Sequence, residues 1–374
     1  MRKSDASAPI VLAAGGTGGH IFPAEALARE LVTRGRAVAL ITDRRGQSFG
    51  DRVSGVATHR VSAGRFDAGL LGKAIGIAEL LLGIAQAGIK LRALAPAAVV
   101  GFGGYPSVPT VIAAGRLGVP TVIHEQNALL GRANRLLAAR VRRIALSFAE
   151  TSRLKPAEQA KAIATGNPVR PAIAALRGQP YVVPGAEGTI EILVLGGSQG
   201  ARIFSEVVPE AIAKLPEALR RRLKLSQQAR PEDIDGVRRR YAGGVDAELK
   251  SFFDDVPARL ARAQLVIARA GASTIAELSI IGRPAILVPY PHAADDHQTA
   301  NARAFAASGA GWTLAQPEFT AARLAQFMEE ILTAPQRLAA AASAAHGFGR
   351  HDAAARLADL ALAASGVNGL ENAA

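Results

Sequence analysis

The pattern that most restricts this chain is a short apolar run, rich in β-branched residues, that ends in glycine and is followed by a helix-forming stretch. It occurs at Ile10–Gly19 (IVLAAGGTGG) and Ile190–Gly200 (IEILVLGGSQG), and again at Val99–Gly104 (VVGFGG) and Val266–Gly271 (VIARAG). Short apolar runs alternating with Ala/Leu-rich helical stretches mark βα units around a parallel sheet. The turns sit at parallel places in two halves. After each of the second pair comes a helix, then a Gly-x-Pro and a strand, GVPTVI (Gly118–Ile123) and GRPAIL (Gly282–Leu287). Polar loops with an Asn-Ala pair follow, HEQNA (His124–Ala128) and DDHQTANA (Asp295–Ala302). The chain therefore reads as α/β, with two Rossmann-like parallel-sheet domains facing across a cleft.

The length, 374 residues, agrees with two domains. Pro9–Ala14 and Ala37–Thr42 read as strands flanking a helix near Pro23–Arg34, and a second series runs from Ile190–Leu195 to Ile286–Val288. Between them Thr165–Pro184 carries Pro168, Pro171, Pro180 and Pro184, an interdomain composition. The expected division is 1–170 and 171–344, with a C-terminal helical region of about 345–374, centred on Ala353–Ala364, crossing back to the first domain. Residues 1–8 and the final GLENAA read as tails. Arg2 and Lys3 imitate a signal-peptide start, but Asp5 and Pro9 interrupt the stretch that would have to be apolar. The charge-free run Ala93–Gly115 contains Pro96, Pro106 and Pro109 with Gly101, Gly103 and Gly104, and reads as strand, glycine turn and helix start rather than a bilayer span.

Lys and Arg number 44 against 31 Asp and Glu, a net charge of +13, and there is no cysteine. The missing thiols exclude a disulfide framework, a thiol nucleophile and Cys-ligated metal. The charge asks for an anionic partner: a phosphorylated substrate, an anionic membrane or nucleic acid. Nucleic acid is the weakest of these, because the basic clusters Arg220–Arg222 and Arg238–Arg240 lack interleaved aromatic residues and read as solvated helix faces.

A glycine turn leading into a helix offers backbone N–H groups and a positive helix end, which suits phosphate. Neither principal turn is a Walker sequence, since no Gly-Lys-Ser/Thr follows, and in GGTGGH (Gly15–His20) Ile21 stands where a dinucleotide fingerprint needs its third glycine. Asp43, at the end of the second strand, keeps a nicotinamide reading open. His20 closes the first turn, where an imidazole can take a proton from an attacking alcohol. His124 and Glu125 form a competing base pair, the carboxylate orienting and polarising the imidazole. Glu277 follows Gly271 in the opening turns of a helix, where it can accept hydrogen bonds from ribose hydroxyls or simply compensate the helix dipole.

GGTGGH (Gly15–His20), GGYPS (Gly103–Ser107), HEQN (His124–Asn127), GNPVR (Gly166–Arg170), GGSQGA (Gly196–Ala201), RAGAST with Glu277 (Arg269–Thr274), and DHQ with Asn301 and Ala302 (Asp296–Gln298) occur in one order along the chain. On these motifs the chain closely resembles the MurG family of peptidoglycan GlcNAc transferases, which are GT-B glycosyltransferases. The resemblance implies inverting transfer of GlcNAc from UDP-GlcNAc to the 4-hydroxyl of MurNAc in the lipid-linked pentapeptide (lipid I), giving lipid II. It implies peripheral attachment to the cytoplasmic face of the inner membrane, other cell-wall synthesis proteins as compatible partners, and no cofactor or metal held by an Asp-x-Asp motif. Asp233 and Asp235 have that spacing, but in a charged stretch that reads as exposed.

Carried over residue by residue, the resemblance gives Ser198 and the N–H groups after Gly197 to the diphosphate, with Arg170 adding positive charge over it. Ala272, Ser273, Thr274, Ile275 and Ala276 would approach uracil and phosphate through the backbone, Glu277 would hold the ribose, and Phe253 would border the base. Gln298 would meet the sugar hydroxyls, Asn127 would reach the sugar from the facing domain, and Thr17, Gly18 and Gly19 would be substrate-binding. The same architecture also serves UDP-GlcNAc 2-epimerases and glycolipid transferases; the HEQN and GGYPS loops favour the transferase.

The stretch 70–91 is apolar over more than half of a helical wheel, wider than one core requires. Leu71, Ile75, Ala78, Leu82, Ala85 and Ile89 form one stripe, and Leu70, Ile77, Leu80, Leu81, Ile84 and Leu91 another; Arg65, Lys73, Lys90 and Arg92 flank them. Such a helix can rest in an anionic membrane interface. The alternative buries both stripes, with Gly72, Gly76, Gly83 and Gly88 allowing close packing or breaking the helix.

Overall fold

The computed structural model describes residues 7–15, 18–43, 53–64, 69–197, 200–241 and 244–366, without the side chains of Leu70 and Leu71. Seven strands form the first sheet: β1 (Ile10–Ala13), β2 (Val38–Thr42), β3 (Ala57–Arg60), β4 (Ala98–Gly101), β5 (Thr121–Glu125), β6 (Arg143–Leu146) and β7 (Ala162–Ala164). Their order is β3-β2-β1-β4-β5-β6-β7, parallel throughout, with Ile10 paired to Val38 on one side and to Ala98 on the other.

Strands β1 and β4 carry no polar side chain because helices cover both faces of the sheet. The pleat deals their side chains alternately to two cores. Ile10 and Leu12 join Leu27, Leu31 and Leu357 on one face, while Val11 and Ala13 join Ile84, Leu91 and Val111 on the other. The first core contains helix α1 (Gly18–Thr33) and the Ala353–Ser365 helix, which Arg34 ties down by pairing with Asp359. The second contains α2 (Leu70–Leu94) and α3 (Ser107–Arg116).

Residues up to Arg170, together with those from His351 onward, make one unit, and Pro171–Arg350 makes the other. The Pro335–Phe348 helix belongs to the second unit, where Leu338 enters the core. That core lies about a second parallel sheet of β8 (Ile190–Leu195), β9 (Leu223–Gln228), β10 (Asp246–Lys250), β11 (Leu265–Ala268), β12 (Ala285–Leu287) and β13 (Gly311–Thr313), ordered β10-β9-β8-β11-β12-β13. In both sheets the order reverses beside the first strand. The loops that leave the carboxyl ends of β1 and β4, and of β8 and β11, therefore flank the crevice where such sheets bind ligands.

Two sequence expectations change. The first helix begins at Gly18, not near Pro23, and keeps Pro23 as its sixth residue. Proline costs the bond to the carbonyl four residues back, which is here Gly19 in the first turn. In α2 the stripes do not behave alike. Ile75, Ala78, Leu82, Ala85 and Ile89 are all exposed, whereas the second stripe divides: Ile77 and Leu81 face outward, Leu80 is half-buried, and Ile84 and Leu91 are in the core. The packed side is the glycine side. A Cβ on Gly83 would lie 2.0 Å from the Ser62 carbonyl oxygen, so only hydrogen permits that approach. Arg65 lies outside the described residues.

Candidate active site

In the first unit the ends of β1, β4 and β5 converge. Gln126, directly after β5, sends its side chain to His20, to Phe102 after β4, and to His124 within β5. Gln126 Nε2 is 3.0 Å from the Phe102 carbonyl oxygen, 3.1 Å from that of His124 and 3.0 Å from His124 Nδ1. Gln126 Oε1 is 3.0 Å from His20 Nδ1. His20 is the third residue of α1, and its ring lies against the turn after β4. Gly104 there has φ +68, and a Cβ on it would come 3.3 Å from His20 Cδ2. His20 Nε2 has no hydrogen-bond partner among the described residues. Gly18 and Gly19 form the first turn of α1, with Arg170 stacked 5.2 Å from the centroid of Phe22 on the same helix. Thr17 lies outside the described residues.

The reading of His124 and Glu125 as a base pair is corrected. Successive strand residues point to opposite faces, and no hydrogen bond joins these two side chains. His124 is wholly buried, with Nε2 3.1 Å from the Gly166 carbonyl oxygen and Nδ1 occupied by Gln126. Burial pushes its pKa down to about 4. It is neutral and sealed, and has no nitrogen to offer a substrate. The Glu125 carboxylate is equally committed. Its Oε1 accepts from the Asn127 backbone N–H (2.9 Å) and Nδ2 (3.0 Å), and its Oε2 from the Gly131 N–H (2.9 Å) and Asn134 Nδ2 (2.8 Å). Glu125 thus organises the loop that carries Asn127. Sequence reading quoted Gln126 without a role; the two-residue strand period, which sets it on the side of His124, was the available signal.

In the second unit the turn after β8 is held where Gly196 N–H donates to Gln228 Oε1, 3.1 Å away. Ser198 lies outside the described residues. After β11, Gly271 leads into the helix Ala272–Ile281, so Ala272, Ser273 and Thr274 supply its first turn, with Ile275 and Ala276 following. Glu277 lies buried in its second turn. Gln298 enters from the His297–Ala307 helix, and its Oε1 accepts from the Ala270 N–H (3.2 Å) and the Tyr290 N–H (2.9 Å). That double acceptance fixes the amide and leaves Nε2 as a donor with no partner among the described residues. Arg269 braces the same rim, donating to the carbonyls of Val288 and Pro289 (3.1 Å each). Phe253 is buried under the Arg259 guanidinium, 4.1 Å from the ring centroid, while its neighbour Phe252 stands exposed.

Comparison with known proteins adds to this geometry. Residues 10–146 match the glycosyltransferase family 28 N-terminal domain, and residues 191–357 the family 28 C-terminal domain. The UDP-N-acetylglucosamine–N-acetylmuramyl-(pentapeptide) pyrophosphoryl-undecaprenol N-acetylglucosamine transferase of Rhodospirillum centenum is 58% identical, covering 96% of this chain and 95% of its own. The protein of the same description from Paramagnetospirillum magneticum is 59% identical over 94% and 95%. Among solved structures, that of Acinetobacter baumannii MurG is similar with a TM-score of 0.79 at 28% identity, covering 95% of this chain and 99% of that one.

Proposed function

The chain belongs to glycosyltransferase family 28, and from that premise we propose how its residues divide the transfer. The enzyme moves GlcNAc from UDP-GlcNAc to lipid I, the undecaprenyl-pyrophosphoryl MurNAc-pentapeptide, and so forms lipid II for peptidoglycan synthesis.

Nucleotide binding belongs to the second unit. The turn of Gly196 to Ala201, with Ser198, takes the diphosphate on backbone N–H groups, and the opening of the Ala272–Ile281 helix lends its positive end. Glu277 takes the ribose hydroxyls, and Gln298 donates Nε2–H to the sugar. Asn127 adds a sugar contact, and Arg170 adds charge against the leaving diphosphate.

Base catalysis belongs to the first unit. His20 Nε2 takes the proton of the MurNAc 4-hydroxyl as its oxygen bonds to the anomeric carbon. The anomeric C–O bond to the diphosphate breaks, the electron pair leaves with UDP, and the configuration inverts. The observation that carries this reading is His20 Nε2, at the carboxyl end of β1, which has no partner among the described residues, beside two other candidates whose polar atoms are engaged. Its test is His20→Ala. A general base contributes about 10²- to 10⁴-fold, so turnover should fall at least tenfold while UDP still binds by calorimetry. A smaller loss with binding intact removes His20 from the role.

The acceptor is anchored in a membrane by its lipid. In our reading the enzyme meets the cytoplasmic leaflet peripherally through the outward apolar face of α2, with Lys73, Lys90 and Arg92 near anionic headgroups.

A further inference from the structure

We infer that Gln126 is a positioning residue that fixes the tautomer of His20, so that the lone pair lies on Nε2. The argument begins at a backbone carbonyl, which can only accept. Gly166 C=O lies 3.1 Å from His124 Nε2, so His124 carries its hydrogen there. His124 Nδ1 is then an acceptor, and the group 3.0 Å from it must donate. That group is Gln126 Nε2, which also faces the carbonyls of Phe102 at 3.0 Å and His124 at 3.1 Å. Three acceptors on one side leave no doubt which end of the amide is nitrogen. The other end is Oε1, an acceptor 3.0 Å from His20 Nδ1. His20 must therefore donate from Nδ1, and in the neutral ring this puts the lone pair on Nε2.

Each link is set by the previous one, and the first is set by the main chain. The full burial of His124 keeps its imidazole neutral, so the first link does not lapse near neutral pH. During transfer, the proton of the acceptor hydroxyl arrives on Nε2 while the Nδ1 hydrogen stays in its bond to Gln126 Oε1. The amide also holds the ring plane, since it anchors His20 of α1 to β4 and β5 at once. An isolated neutral imidazole has no such restriction and distributes its hydrogen between both nitrogens. The form with hydrogen on Nε2 cannot accept the hydroxyl proton there.

This inference rests on the reading of His20 as the base, and one experiment separates the two. Nitrogen-15 NMR of ¹⁵N-histidine-labelled enzyme reports which ring nitrogen carries hydrogen, and the His20→Ala spectrum identifies the His20 signals among the seven histidines. Wild-type His20 should show the Nδ1–H form. Gln126→Met, which keeps the length and removes the acceptor, should shift His20 toward Nε2–H and lower kcat by ~10- to 100-fold, within the range of a general base's contribution. Its KM for UDP-GlcNAc should change less than about twofold, because only the chemical step is affected. Gln126→Glu restores an oxygen opposite Nδ1 and should restore the Nδ1–H form, a spectroscopic reading that survives even if that variant is less stable. Wild-type His20 in the Nε2–H form overturns the inference whatever His20→Ala does. A Gln126→Met enzyme with an altered tautomer and an unaltered kcat overturns it too. If His20→Ala costs less than tenfold, the base assignment falls, and the tautomer result still stands as a statement about the site.

Discussion

A histidine buried as completely as His124 ties folding to pH. In the unfolded chain its imidazole takes a proton below about pH 6.5, but in the folded protein burial delays this until about 4. Between these values the unfolded state binds more protons, so stability falls as the pH is lowered through the window. The expected loss between pH 7 and pH 5 is about 2 kcal/mol from this group. Denaturant unfolding at the two pH values measures it, and His124→Gln should flatten the difference while costing stability at pH 7. An unchanged pH dependence in that variant would assign the effect elsewhere. The adjacent Glu125 makes a separate prediction. Its two oxygens accept four hydrogen bonds, so Glu125→Gln turns an NH₂ toward donors and leaves them unsatisfied, costing about 1–3 kcal/mol. The letters His-Glu suggest a catalytic pair only until the pleat is considered, for neighbours in a strand face apart. Gln126 carries no chemical signature of its own; its meaning comes from His20, far away in sequence, which no local pattern reveals.

At the scale of the element, α2 poses the opposite case: a helix whose exposed side is its apolar side. Among the described residues it is the one helix long and apolar enough to cross a membrane, yet only 33% of its apolar window is buried. It is held instead by its glycine side, leaving Ile75, Ile77, Leu81, Leu82 and Ile89 each more than half exposed. An apolar face of this extent on a folded unit calls for a covering surface. Replacing Leu81 and Leu82 together by Glu removes apolar contact and adds repulsion from anionic headgroups, which attract each basic residue by about 1 kcal/mol. Cosedimentation with phosphatidylglycerol vesicles should fall at least tenfold (about 1.4 kcal/mol), with the melting temperature unchanged because neither side chain is in the core. Equal sedimentation of variant and parent would discard the membrane role of this face. The breadth of the apolar surface was readable in the sequence; which stripe faces out was not. A wheel that is apolar over more than half its circumference has no polar side to mark the solvent, and glycine packing decides the orientation only once Ser62 and Pro109 are in place.

For the whole molecule, the legible feature was the repetition. Buried β-branched strands and their glycine turns announce themselves locally, so two parallel-sheet units could be anticipated from βα alternation, whereas the strand order within each sheet emerges only from the pairing. The helix boundaries were less legible, as Pro23 shows, because a proline's cost depends on the one carbonyl it deprives. The repetition also predicts a division of labour. Two units with separate cores carry different residues at the carboxyl ends of their strands: His20 and Gln126 in one, Gln298 and Glu277 in the other. UDP without its sugar should therefore protect from hydrogen exchange the peptides containing Gly196–Ala201 and Ala270–Glu277, which carry the proposed diphosphate and ribose contacts, and leave Gln298, proposed to hold the sugar, less protected than UDP-GlcNAc does. The segments holding His20 and His124–Asn134 should exchange at their free-enzyme rates. With UDP saturating, a ligand at about a hundred times its dissociation constant adds about 2.7 kcal/mol to the state it binds, enough to slow exchange there roughly a hundredfold. Equal protection of the His20 segment by UDP alone would mean that the turn carrying the base contributes to nucleotide binding as well, and the separation of binding from base catalysis would have to be abandoned.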